Sequence, residues 1–143
     1  MLERYAGQFC FGSWVAWLRG QIMWQLGELD AAIASLEEAL EQKDSAENLL
    51  GLAHYYLENE EQQTARQYAR QALEKAPRNA LCLLSQAVLM YEMGQVAEAV
   101  EWLARAQRQD RSLVRANNLQ YGYFWGPKAI AAVNALLLQL KGG

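Results

Sequence analysis

His54 is the only histidine in this chain of 143 residues. A histidine does acid–base or metal chemistry when a carboxylate, a thiol or a second imidazole is held beside it. No motif supplies that partner: the chain has no HExxH, no GxSxG and no glycine-rich phosphate loop. His54 therefore reads as a polar contact on a helix that faces a groove or a core. The acid pair Glu37-Glu38 and the run Glu58, Glu60, Glu61 have the right groups for proton transfer. Their placement on expected exposed faces and turns makes them solvating charges instead. Cys10 and Cys82 are far apart and neither belongs to a CxxC motif, which excludes a disulfide framework and a zinc site. Two buried free thiols in a reducing compartment is the reading they support. The expectation is a protein with no catalysis, no metal and no cofactor.

The side chains that do stand out are aromatic. The stretch GSWVAWLRGQIMWQLG (12–27) holds three of the five tryptophans, Trp14, Trp17 and Trp24. At 100° per helical residue, Trp17 and Trp24 fall at about 300° and about 280° from Trp14, one stripe on one face. Ala16, Gly20, Met23 and Val15 are expected to form the interior face. Tryptophan and tyrosine bury large area with few rotatable bonds, so such a stripe suits a core or a binding surface equally.

The elements that position these residues follow from composition and periodicity. Hydrophobic residues make up 52% and charged residues 20%, enough to build a core, and two prolines in the whole chain favour helix throughout. Net charge is −3, divided unevenly: residues 1–61 carry eleven acids and three bases, residues 62–143 five acids and ten bases. Solvated helix faces explain this asymmetry, and steering of a charged partner is the functional alternative. No signal peptide is visible, and AIAAVNALLLQL (129–140) is too short to span a bilayer. A soluble, cytoplasmic protein is expected.

Internal repetition decides the architecture. Three segments align: 13–45, 46–79 and 80–113, of 33, 34 and 34 residues. Their eighth positions are Gly20, Ala53 and Ala87, and their twentieth are Ala32, Ala65 and Ala99. Their twenty-seventh are Ala39, Ala72 and Ala106, and their fifteenth Gly27, Glu60 and Gly94. Small residues at positions eight and twenty let two helices approach closely. The alanine at twenty-seven does the same against the next unit. The glycines mark left-handed turns. Glu60 makes a less sharp stop, so the second turn is expected to differ. Pro77 ends the second unit, and Asn79 or Asp44 is placed to cap a following helix.

This pattern resembles the tetratricopeptide repeat (TPR) family over residues 13–113. The resemblance implies an all-α fold, a right-handed superhelical stack of antiparallel helix pairs. It implies one domain: an N-terminal cap (1–12), three repeats (13–45, 46–79, 80–113) and a degenerate hairpin or cap (114–143). Leu2, Tyr5 and Phe9 carry the spacing of a short capping helix. SLVRANNLQYGYF (112–124) resembles another first helix, FWGP breaks it, and residues 127–141 form the last helix. Arg19 stands where the family usually has leucine.

The resemblance also implies a concave groove lined by positions two, five, nine and twelve of each unit. In this chain those are Trp14, Trp17, Gln21 and Trp24, then Glu47, Leu50, His54 and Leu57, then Leu81, Leu84, Val88 and Tyr91. Some members clamp a peptide carboxylate with lysine and asparagine at positions five and nine. Here those positions hold Trp17, Leu50, Leu84 and Gln21, His54, Val88, so the clamp is absent. A protein segment, apolar or an amphipathic helix, fits the groove better. Pentatricopeptide RNA binders share the unit length but need a basic groove, which excludes nucleic acid. The implied function is a non-catalytic interaction scaffold. Two alternatives stand beside it: a self-associating assembly module, and a regulatory domain of a larger protein. The chain's own ends are a further candidate to fill the groove.

Overall fold

The computed structural model describes residues 11–114 and 125–142. Helices α1 (Phe11–Gln25) and α2 (Leu29–Gln42) form a first antiparallel pair. Helices α3 (Ala46–Glu58) and α4 (Gln62–Lys75) form a second, and α5 (Ala80–Glu92) and α6 (Val96–Gln109) a third. A 3₁₀ turn, Arg111–Val114, follows, and α7 (Pro127–Gly142) is the last of the described helices. No strand occurs among the described residues. The expected N-terminal cap helix, Cys10 and most of the expected helix over 112–124 lie outside them.

The small residues set the spacing within each pair. A β-carbon at Gly20 would stand 3.3 Å from both the Ala32 carbonyl oxygen and Leu36 Cγ. Ala32, Ala65, Ala87 and Ala99 are fully buried, as are Ala39, Ala72 and Ala106. The face of α1 opposite the tryptophans is less uniform than expected. Ala16 and Gly20 are buried and Met23 half-buried, but Val15 is 37% exposed. Arg19, on an exposed position, reaches across the pair to Glu38 at 2.7 Å.

The second and third pairs differ in how their helices are sheathed. Every residue of α5 from Cys82 to Met90 is buried. A helix that is mostly apolar on every side belongs inside, and α5 packs on α4, α6, α3 and α7. Helices α4 and α6 bury one stripe each, Ala65, Ala69, Ala72 and Ala99, Leu103, Ala106, and turn charged residues outward.

The three intra-pair turns are the same. Gly27, Glu60 and Gly94 have φ of 78°, 62° and 80°. In the first, Gly27 N–H donates to the Trp24 carbonyl and Glu28 N–H to that of Met23. Glu60 and Glu61 repeat this with Leu57 and Tyr56, and Gly94 and Gln95 with Tyr91 and Met90. Each is a Schellman closure that pairs the last free carbonyls of a helix. The expected difference at Glu60 is absent: the surrounding hydrogen bonds hold a glutamate where glycine is preferred.

Between pairs, side chains cap the next helix. Asn79 Oδ1 accepts from Leu81 N–H and Cys82 N–H at the start of α5. At α3 the cap is Ser45, whose hydroxyl accepts from Asn48 N–H. Asp44 instead pairs with Lys75 at 3.1 Å. Asn48 is buried and donates through Nδ2 to Ser13 Oγ and to the Lys43 and Ala39 carbonyls. That network locks the junction of α1, α2 and α3.

A β-carbon at Gly94 would meet nothing within 4 Å, so Gly94→Ala tests backbone conformation alone. Urea denaturation should show a loss of about 1–2 kcal/mol, the cost of a left-handed L-residue. Glu60→Gly should move the midpoint the opposite way. An unchanged midpoint for both variants would contradict the shared turn.

Candidate functional site

Helices α1, α3 and α5 are the first members of successive pairs, and their common side forms a concavity of about 460 Å³. Trp17 and Gln21 from α1 line it, with Glu47, Leu50, Gly51, His54 and Tyr55 from α3, and Asn79 and Leu81 from the start of α5. Trp125, just before α7, completes it. The wall is mainly aromatic and aliphatic, and Glu47 is its one charged residue. A second hollow of about 220 Å³ shares Trp17 and Glu47 and adds Trp14, Ser13, Lys43, Ser45 and Asn48.

The expected groove residues divide into three groups. Trp17, Gln21, Leu50 and His54 line the larger concavity, and Trp14 the smaller one. Trp24 is half-buried and stacks on Tyr55, with ring centroids 4.8 Å apart and planes 15° from parallel. Leu57, Leu84 and Val88 line neither of these two hollows. They are buried in one apolar cluster with Trp125, Ala129, Ala132, Val133 and Leu136. Tyr91 packs half-buried against that cluster. The reason is α7, which packs on α3, α5 and α6 and so covers the far part of the concave side.

The docking of α7 depends on residues that sequence patterns did not single out. Pro127 starts this helix with no Ser, Thr, Asp or Asn before it, so its first amides need partners from elsewhere. Glu58, at the end of α3, provides one. Its Oε1 accepts from Lys128 N–H at 2.9 Å and from Ala129 N–H at 3.3 Å. A β-carbon at Gly126 would collide with this carboxylate, which explains the glycine. Burial raises the Glu58 pKa, and the two amides and the Lys128 ammonium oppose that rise. Lys128 Nζ also reaches Glu60 Oε1 at 2.9 Å. Glu58 was expected to be a solvated charge; it is half-buried and acts as a remote helix cap. The missing cap at Pro127 was the available signal.

His54 is 6% exposed and sits at a junction of three elements. Nε2 shares a 2.8 Å hydrogen bond with Ser85 Oγ on α5, and the ring lies 4.0 Å from the Trp125 ring, tilted by 32°. Burial pushes its pKa down to about 3, so the ring is neutral at physiological pH. Three polar atoms of residues that line the concavity are closed off from solvent: His54 Nδ1, Gln21 Oε1 and the Tyr55 hydroxyl. Burial raises the Tyr55 pKa, and a hydrogen bond with the Gln21 side chain opposes this.

The other residues considered for chemistry are accounted for locally. Glu37 accepts from the Tyr56 hydroxyl at 2.6 Å, and Glu61 from Asn59 Nδ2 at 2.7 Å. Cys82 is buried, its thiol faces the Ala72 carbonyl at 3.7 Å, and burial pushes its pKa up to about 11. No described helix is long and apolar enough to cross a membrane.

A stack of antiparallel helix hairpins with small residues at the crossings and a concavity on the first-helix side defines a helical-repeat solenoid. Models of the tetratricopeptide repeat match residues 15–45 and 50–113, and the chain belongs to that family. Solved structures agree on the fold. The Arabidopsis OM64 TPR domain superposes with a TM-score of 0.68 at 17% identity, covering 90% of this chain and 96% of that one. The first TPR of Spaghetti (RPAP3), bound to the HSP90 peptide SRMEEVD, gives 0.68 at 11% identity, covering 91% and 94%. The TPR2B domain of yeast Sti1, in complex with pHsp70, gives 0.67 at 16%, covering 87% and 98%. No curated protein matches the chain significantly.

The unfolded chain carries histidine near its ordinary pKa of 6.5, and folded His54 titrates near 3. Between those values the unfolded state binds the extra proton, so stability falls as pH drops. Denaturation at pH 6.5 and pH 5 should show a loss that is smaller by up to about tenfold in the folding constant per pH unit in His54→Gln. Equal losses would contradict the burial. Glu58→Ala should destabilise the docking of α7 by about 1–3 kcal/mol, the cost of leaving its amides unpaired. Hydrogen exchange over residues 127–142 should quicken while α1 and α2 are unchanged.

Proposed function

We propose that the chain is a non-catalytic protein-interaction scaffold whose ligand is a peptide segment seated in the open part of its concave side. One observation carries this reading. Three successive first helices and Trp125 converge on an apolar concavity of about 460 Å³ that α7 leaves uncovered. A hollow with a mainly aromatic and aliphatic wall and a few convergent polar groups is the usual form of a recognition site. Structural neighbours of the same fold include one bound to the HSP90 peptide SRMEEVD and one in complex with pHsp70, which supports peptide binding as the class of function.

The nature of the segment differs from the chaperone tails of those neighbours. An acidic peptide ending in a carboxylate needs cations in the groove. The lining here contains no lysine or arginine, its histidine is neutral, and Glu47 stands at the edge. An apolar or amphipathic segment, with a side chain packed against Trp17 and Leu50, suits the wall. The occupied site is thus Trp17, Gln21, Leu50 and His54, with Trp14 and Trp24 flanking it. Leu57, Leu84, Val88 and Tyr91 serve to seat α7.

Trp17 is half-buried, so its replacement leaves most of the core intact. Trp17→Ala should weaken capture of a partner by about thirtyfold or more, the size expected of an interface anchor. Far-ultraviolet circular dichroism should be unchanged. Capture at full strength by Trp17→Ala would place the ligand on another surface.

A further inference from the structure

Helix α1 has a face that its own hairpin leaves bare. Among the described helices it packs closely on α2 alone. With Val15 at zero and 100° per residue, Leu26 falls at about 20°, Ile22 at about 340° and Leu18 at about 300°. These four form one apolar stripe along the helix, turned away from Trp17 at about 200°. Ile22 is 57% exposed and Leu26 68%, Val15 is exposed and Leu18 half-buried. A repeat array stays soluble when its outer faces are polar, and a bare apolar stripe there draws another molecule. Arg19 is the one charged residue of α1, and Glu38 holds it.

The other end of the described array has a matching face. On α7, Ala131, Asn134 and Leu138 are exposed at helical spacing, and Leu138 is 72% exposed. The small residues beside Leu138 admit a second helix at close range. Charge is opposite at the two ends. Residues 11–42 hold five acids, Glu28, Asp30, Glu37, Glu38 and Glu41, and one base. The described residues from 104 onward hold five bases, Arg105, Arg108, Arg111, Lys128 and Lys141, and one acid. That acid, Asp110, accepts from the Ser112 hydroxyl at 2.7 Å. Arg108 and Arg111 line a hollow of about 790 Å³ with Ala104 and Gln107. Two first pairs face to face would set acid against acid, and two α7 faces base against base. Opposite ends attract.

We propose that copies of the chain associate head to tail, with the α1 stripe of one copy on the exposed face of α7 of the next. Val15, Leu18, Ile22 and Leu26 then pack around Leu138, and the acidic first pair meets the arginines and lysines of its neighbour. A contact between two different faces is heterologous: each copy keeps one face open, and the assembly grows beyond a pair. The proposal goes beyond the groove reading and does not rest on it, since Trp17 and Gln21 lie on another side of α1.

Sedimentation equilibrium of the full chain tests this. The mean mass should rise with concentration past that of a dimer. Raising salt from about 0.05 M to about 0.5 M should weaken association by about three- to tenfold, because it screens the charge match. Ile22→Asp and Leu138→Asp each alter an exposed side chain, so circular dichroism should be unchanged. Each alone should weaken association by about tenfold or more, the effect of losing one buried aliphatic side chain. The decisive sample is their equimolar mixture. The intact α7 face of the Ile22→Asp variant receives the intact α1 stripe of the Leu138→Asp variant, so one dimer and nothing larger should form. Self-pairing at full strength by either variant alone would reveal a symmetric contact and overturn the proposal. A mixture that stays monomeric, or association that tightens with salt, would also overturn it. So would an unaltered chain that stops at a dimer or stays a monomer, the latter leaving the stripe to residues 1–10 of the same copy. Partner capture by Trp17→Ala is a separate result and bears on the groove alone.

Discussion

The interaction on which the rest depends is the close approach of paired helices. Gly20 faces the Ala32 backbone and Leu36 with no room for a β-carbon at ordinary distance, and buried alanines hold the later crossings. Side chains of one carbon or none set a short separation between the two axes of a pair. A leucine at such a crossing would force the backbones apart and rotate one helix against the other. Because the same spacing recurs in each pair, α1, α3 and α5 come to one side in register. The concavity is a product of that repetition rather than of any motif within it.

The repeated part of the fold was legible because its causes are local. A glycine or alanine at a crossing, a left-handed residue at a turn and a proline after a helix each act within a few residues of themselves. Even so, local chemistry misled at two places. Ser45, not Asp44, caps α3, because its hydroxyl meets Asn48 N–H while the Asp44 carboxylate pairs with Lys75. Glu60 adopts the backbone of its glycine counterparts because both neighbouring amides are satisfied by the same closure. Conformational preference yields where the hydrogen-bond pattern is fixed on both sides.

What could not be read was the part made by distant partners. Glu58 and Lys128 are 70 residues apart, and no periodicity relates them. The burial of Leu57, Leu84 and Val88 depends on where α7 comes to rest, which is a property of shape and not of the repeat. Position in the repeat assigned these three to the concave side. It carried no information about a cover, since α7 follows none of the small-residue pattern. The polar part of the lining was half visible: Gln21 and His54 fell on groove positions, whereas Tyr55 was overlooked because it sits one residue beyond them. Its ring is held by the stack on Trp24.

The return of α7 to α3 alters how the molecule holds together over time. A plain solenoid is nearly one-dimensional: each unit touches only its neighbours, and the terminal unit frays without disturbing the middle. Here the bond from Glu58 to α7 bridges the second pair and the chain's last helix, closing a loop around the third pair. Closing it has an entropic cost that grows only slowly with length, so the contact need not be strong to persist. Its high contact order places it late in folding, after the hairpins that need only local pairing. Once made, it couples the opening of α7 to the stability of α3 and α5. The array thereby gains a cooperativity that its repeats alone do not confer.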